Sequence, residues 1–133
     1  MPLHAAPLMG QVIATPDGMA LAEWTDDGCP PDGPMPIAPL HLHEGCDEAW
    51  VVKEGRLVVR SGEEEITLNA GDALLVPAGT PHTFWNPDPA PCRYLLVMTG
   101  LTWRLIQAIH ATNDRSPETM RRLFADHGAR LLT

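Results

Sequence analysis

Several things are scarce in this chain, and each scarcity excludes something. Nine basic residues face seventeen acidic ones, leaving a net charge of −8. That sign opposes non-specific binding to DNA or to an anionic membrane surface, so neither nucleic acid nor lipid is expected as a partner. No apolar run approaches the roughly 18 residues that a membrane-spanning helix needs. Met1 to Gly10 has no basic segment and carries Pro2 and Pro7, which reads against a signal peptide. Cysteine occurs three times, an odd number that makes no disulfide framework and fits a reducing cytoplasm. There is no internal repeat, no low-complexity stretch and no phosphate-binding loop.

The 133 residues, 44% of them hydrophobic, suffice for one domain with its own core. Charge is unevenly spread. Residues 1–100 hold four basic and fourteen acidic groups, a net of −10, whereas residues 101–133 hold five arginines and three acids, a net of +2. The arginines of the second part read as solvated helix faces.

Proline punctuates the first part. Eight of fourteen prolines precede His41, and the stretch Asp26 to Pro36 reads as a loop between strands. Strands are predicted over Gln11 to Thr15, Met19 to Thr25 and Ile37 to His43. Shorter ones follow at Glu48 to Lys53, Arg56 to Arg60, Glu63 to Leu68, Ala73 to Val76, Pro81 to Trp85 and Arg93 to Thr99. Glu54-Gly55, Ser61-Gly62, Asn69 to Asp72 and Pro77-Ala78-Gly79 supply the turns. Short strands at even spacing predict a barrel or sandwich rather than βαβ units. The period changes after Gly100. Trp103, Ile106, Ile109 and His110 recur at helical spacing, and Ser116-Pro117-Glu118 opens a second helix whose face carries Met120, Leu123, Phe124 and His127. The prediction is an all-β body over about residues 10–100 with a helical hairpin over about 101–132, a single domain spanning 1–133. The hairpin has an apolar face to bury, either over a barrel opening or across a dimer.

The chemistry sits on the strands. His41 and His43, two apart, project to one face, and Glu48 opens the next strand, where an antiparallel turn returns its carboxylate toward them. His82 follows the Pro77 to Gly79 turn. Three imidazoles and a carboxylate make a borderline donor set for a divalent first-row metal.

These residues resemble the two signature motifs of the cupins. The first reads here His41-x-His43-x4-Glu48-x6-Gly55. The second reads Gly71-x5-Pro77-x-Gly79-x2-His82-x3-Asn86, which is complete. One position departs: Met35 stands where the first motif's leading glycine would fall, a backbone device and not a ligand. The resemblance implies a double-stranded β-helix, or jelly-roll, barrel. It also implies His41, His43, Glu48 and His82 as ligands of one iron, manganese, nickel, cobalt, copper or zinc ion with positions left open. Trp50, Val52 and Phe84 share the inward parity of the ligands and read foremost as barrel core, which in a small barrel can also line the substrate pocket. Glu44, Asp47 and Cys46 read as turn or loop residues beside the site, and His4, His110 and His127 as non-ligands.

The function implied is a metal-dependent small-molecule enzyme, foremost a dioxygenase of the quercetinase-like type acting on a phenolic or enolisable substrate, with Glu48 as ligand and proton acceptor. The alternatives are a non-redox isomerase, lyase or cyclase and a non-enzymatic ligand-binding cupin. Trp24 and Trp85 are expected to face outward and, with sheet edges to cover, to mark a homodimer interface.

Overall fold

The computed structural model describes residues 8–15 and 17–132. Expectations about the signal peptide and His4 therefore rest mainly or wholly on residues outside this range. Nine strands come first: β1 (Val12–Ala14), β2 (Met19–Asp26), β3 (Ala38–His43), β4 (Glu48–Glu54), β5 (Arg56–Ser61), β6 (Glu64–Asn69), β7 (Ala73–Val76), β8 (His82–Trp85) and β9 (Cys92–Thr99). Helices α1 (Gly100–Ala111) and α2 (Pro117–Asp126) follow, and then a tenth strand, β10 (Ala129–Leu131). Two five-stranded antiparallel sheets result, in the orders β1-β2-β9-β4-β7 and β10-β3-β8-β5-β6. The consecutive strands β3 and β4 lie in opposite sheets, as do β7 and β8, so the chain keeps crossing between them. This is the jelly-roll barrel expected, mostly β with a helical C-terminal part.

Alternation explains why these segments pack as they do. Along β9, Cys92, Tyr94, Leu96 and Met98 are buried while the residues between them are half-exposed. On β4, Glu48, Trp50 and Val52 face in. Both inner faces meet in one core that includes Trp50, Leu57, Val59, Val76, Phe84 and Leu96. Gly55 closes the β4–β5 turn at a φ of 75°, and a Cβ there would sit 2.5 Å from the Pro91 carbonyl oxygen. Only glycine fits both conditions, which gives the last position of the first motif a steric reason.

The hairpin forms where its caps place it. The Thr99 hydroxyl accepts from the Thr102 N–H at the start of α1, and the Ser116 hydroxyl accepts from the Thr119 N–H at the start of α2, with Pro117 in the first turn. Trp103 and Ile106 pack against the barrel core. Leu105, Phe124 and Ala129 form a second cluster with Ile109, Leu123 and Leu131 around them. The hairpin thus lies on its own barrel.

Two expectations need correction. The helical reading to Leu132 overran, because Gly128 takes a φ of 68° and turns the chain out of α2 into β10. That strand pairs with β3 as Ala129↔His43, Arg130↔Leu42 and Leu131↔His41. Trp24 does not face outward. It shares the parity of the fully buried Ala20 and Ala22 and packs against Tyr94 and Trp103, with ring centroids 6.5 and 6.3 Å away. Trp85 is half-buried. Among the described residues, no helix is long and apolar enough to cross a membrane.

Candidate metal centre

The site is built where the two sheets face each other. Sheet pairing sets His41 directly opposite His82 on β3 and β8. His43 lies two residues further along β3, and Glu48 enters from β4 in the other sheet, paired there with Val76. The connecting turns are tied to these strands. The Gly79 N–H donates to the His43 carbonyl at 2.7 Å, so the second motif's turn is fastened to the first motif's strand. The Ala78 N–H donates to the Asp47 carboxylate at 2.8 Å. Asp47 therefore braces the turn, Glu44 is exposed and paired with Arg130 at 3.3 Å, and the Cys46 thiol accepts from the Thr99 hydroxyl.

His41, His43, Glu48 and His82 are all buried, and one donor atom from each lies within 4.8 Å of the others. His41 Nδ1 donates to the Pro39 carbonyl at 2.7 Å and His82 Nδ1 to the Thr80 carbonyl at 2.9 Å. Each ring is thereby held in the tautomer that leaves Nε2 with a free lone pair. His41 Nε2 lies 3.2 Å from His43 Nε2, which in turn lies 2.8 Å from Glu48 Oε2. Donors about 2.1 Å from a common ion sit about 3.0–3.4 Å apart, so this spacing suits a shared first-row metal. Burial pushes His41 down to about 4 and lowers His82 as well, which keeps both rings neutral, the state that ligates. His82 Nε2 is buried without a hydrogen-bond partner among the described residues, the nearer Glu48 oxygen, Oε1, being 3.9 Å away. A buried acceptor orphaned beside three other ligand-type side chains fits an ion better than it fits a closed hydrogen-bond network.

A cavity of about 580 Å3 opens from this centre. His41, His43 and Glu48 lie in its wall, together with Phe84. Of the three inward residues that could line it, Phe84 does. Trp50 and Val52 are not among the lining residues. Trp50 backs the site instead, its ring 5.6 Å from His82 and 5.4 Å from Phe84. Inward parity placed both residues in the core, but the space beside them is filled. The far wall comes from Tyr94 and Leu96 of β9, which the sequence reading missed, and from Leu105, Ile106, Ile109 and Phe124 of the hairpin, whose apolar face was expected to cover either a barrel opening or a dimer partner. Inward alternation on β9 was a usable signal for the first two. The helical spacing of the hairpin's apolar residues showed a face to be buried, but did not decide between the barrel opening and a second copy. His110, expected to be a non-ligand, lines the cavity, while His127 Nδ1 donates to the Leu123 carbonyl at 2.7 Å.

Comparison with known proteins agrees with this fold. A cupin-domain family model matches residues 33–98. A solved structure from Thermus thermophilus, the protein TT1209, is 31% identical, with a TM-score of 0.53 over 66% of this chain and 82% of that one. A sugar phosphate isomerase of the cupin superfamily from Silicibacter pomeroyi is 27% identical, with a TM-score of 0.53 over 62% of this chain and 50% of that one. Among curated proteins, a mannose-1-phosphate guanylyltransferase from Salmonella muenchen is 33% identical over 63 residues, which is 47% of this chain and 13% of that protein. The chain thus spans only a small part of that relative's length.

Proposed function

The chain belongs to the cupin superfamily, and on that premise we propose that it is a metal-dependent enzyme acting on a small phenolic or enolisable molecule. The observation that carries this is one buried three-histidine, one-carboxylate cluster opening into a largely apolar cavity. His41, His43, Glu48 and His82 would hold the ion. Once bound, it would act as a Lewis acid toward a phenolate or enolate oxygen and, if redox-active, allow dioxygen chemistry. The remaining roles fall to the chain itself. Phe84, Leu96 and Phe124 exclude water and favour a planar apolar body. Pro39 and Thr80 fix the two imidazoles through their carbonyls. The Glu48 carboxylate takes the proton that a hydroxyl or enolisable C–H group gives up.

We favour dioxygenation because the cavity wall suits an aromatic or enolic substrate. A second reading, metal-assisted isomerisation, is supported by the name of the Silicibacter pomeroyi neighbour. Oxygen uptake by metal-reconstituted protein with flavonol, diketone and catechol panels separates the two: uptake supports dioxygenation, and turnover without uptake supports isomerisation. His82→Ala should reduce bound metal from one per chain to near zero while leaving the fold in place. Glu48→Gln should bind metal more weakly and lose turnover at least about a hundredfold, as loss of a positioned base does. Near-normal turnover in Glu48→Gln would remove the base role, and full turnover in metal-free protein would remove the mechanism.

The same proposal includes a homodimer and a reducing cytoplasm. Leu75, 57% exposed on the edge strand β7, gives two copies an apolar edge to share. Three unpaired thiols support the compartment. Light scattering that returns 14.5 kDa at micromolar concentration would rule out the dimer.

A further inference from the structure

Beyond the metal centre, the cavity has a second chemically distinct end. Phe124, near the C-terminus of α2, meets His41 edge-to-face, with ring centroids 5.5 Å apart. From Phe124 back to Pro117, at the start of the same helix, is about 10 Å at the α-helical rise. Arg115 lies just before that start and His110 in the last turn of α1, and both line the cavity. The cavity therefore runs from the ligands past apolar walls to a cationic side chain. Among the described residues, Arg115 makes no hydrogen bond or ion pair, whereas Arg56, Arg93 and Arg130 each have a carboxylate partner. Asp26 also lines the cavity, but its Oδ1 accepts from the Gly28 N–H at 3.0 Å and the Asn86 amide at 3.3 Å. The charge map points the same way: residues 1–100 carry −10, and the hairpin segment that lays Arg115 over the cavity carries +2.

We propose that Arg115 is a specificity-determining residue that selects substrates bearing a carboxylate at the end remote from the metal-binding oxygen, with His110 lining the same cavity. This deepens the proposed function and rests on it for the head group: an oxygen-bearing head at His41, His43, Glu48 and His82, an apolar body along Phe84, Ile106 and Ile109, and an anionic tail at the hairpin turn. A guanidinium suits that task because it presents a fork of donors matched to a carboxylate and keeps its charge at any working pH.

The test uses the full chain, metal-free and zinc-loaded, with 3-(4-hydroxyphenyl)propionate and its methyl ester as probes. Binding is followed by tryptophan fluorescence, since Trp24 lines the cavity. Wild-type protein should bind the acid about tenfold more tightly than the ester, the size expected of one charge-assisted contact. Arg115→Gln should abolish that preference and leave ester binding unchanged, and Arg115→Lys should restore part of it. Equal acid affinity in wild type and Arg115→Gln overturns the proposal, as does failure of both probes to bind. The zinc arm keeps the two readings apart. If zinc tightens both probes while Arg115→Gln changes nothing, the metal reading stands and this one falls. If the Arg115 preference holds while zinc has no effect, this one stands and the metal reading falls.

Discussion

Strands β3, β4 and β8 hold their chemistry-bearing side chains by cross-strand pairing on both flanks, with His41 opposite His82 and Glu48 opposite Val76. The hairpin holds its apolar face differently, by a hydroxyl cap on each helix and a small cluster around Leu105, Phe124 and Ala129. The first arrangement is over-determined: each ligand is fixed by neighbours in its sheet and by turn hydrogen bonds such as that from Gly79 to His43. The second has fewer ties per residue, and its surface is more exposed. The geometry of the four candidate metal-binding residues thus belongs to the stiff part of the molecule, and the shape of the cavity depends on the part with less holding it. A fold so divided can keep one site chemistry while its substrate changes through a handful of helix residues.

The division between body and hairpin is probed most severely by removing the hairpin. Deleting residues 101–133 should expose Trp24 and the core beneath α1 and return β3 to a sheet edge. We expect aggregation, or a melting temperature lower by more than about 10 °C. Unchanged stability and solubility would mean that the body does not need its roof.

Acid should act next, and on the body. His41 titrates near 4 in the folded protein, against an ordinary value of 6.5, because burial disfavours its charged form. As pH falls below 6.5 the unfolded chain takes up this proton first, so stability drops until about pH 4 and then levels off. The loss for the metal-free protein is up to about 3 kcal/mol. Glu23 adds a second step. The Arg93 guanidinium holds its carboxyl below the ordinary 4.5, so its contribution, present above 4.5, is lost as pH falls through the lower folded value. Chemical denaturation of metal-free protein from pH 7.5 to 3.5 would show the fall; a flat profile between 6.5 and 4 would contradict it.

The smallest change falls on the hairpin alone. Ser116→Ala removes the acceptor for the Thr119 N–H and should cost about 1 kcal/mol, with metal content unchanged. Equal loss of metal in this variant would show that body and hairpin are not separable.

The body was far more legible in the sequence than the cavity. Turn residues between short, evenly spaced strand candidates located the first nine strands, because a chain that reverses every few residues needs glycine, proline, asparagine or aspartate at each reversal. The spacing of His41, His43, Glu48 and His82 was legible because motif spacing is strand geometry. β10 was not, since Ala129 to Leu131 is too short for a period and its partner, β3, lies some eighty-six residues earlier in register. Trp24 was misread because its cover is a helix that comes almost eighty residues later. Trp50 and Val52 were read as inward core residues that could also line the pocket, and parity did not decide between the two, because it reports the side of a sheet and not whether the space there is already filled.

The pairing of β10 with β3 also bears on the order in which the site is made. Strands β2 to β9, with all four ligands, precede residue 100, so during synthesis they leave the ribosome before α2 and β10 do. The sheet that carries His41, His43 and His82 is nevertheless incomplete until β10 joins its edge, so β3 gains its second hydrogen-bonded neighbour only once residues 129–131 are in place.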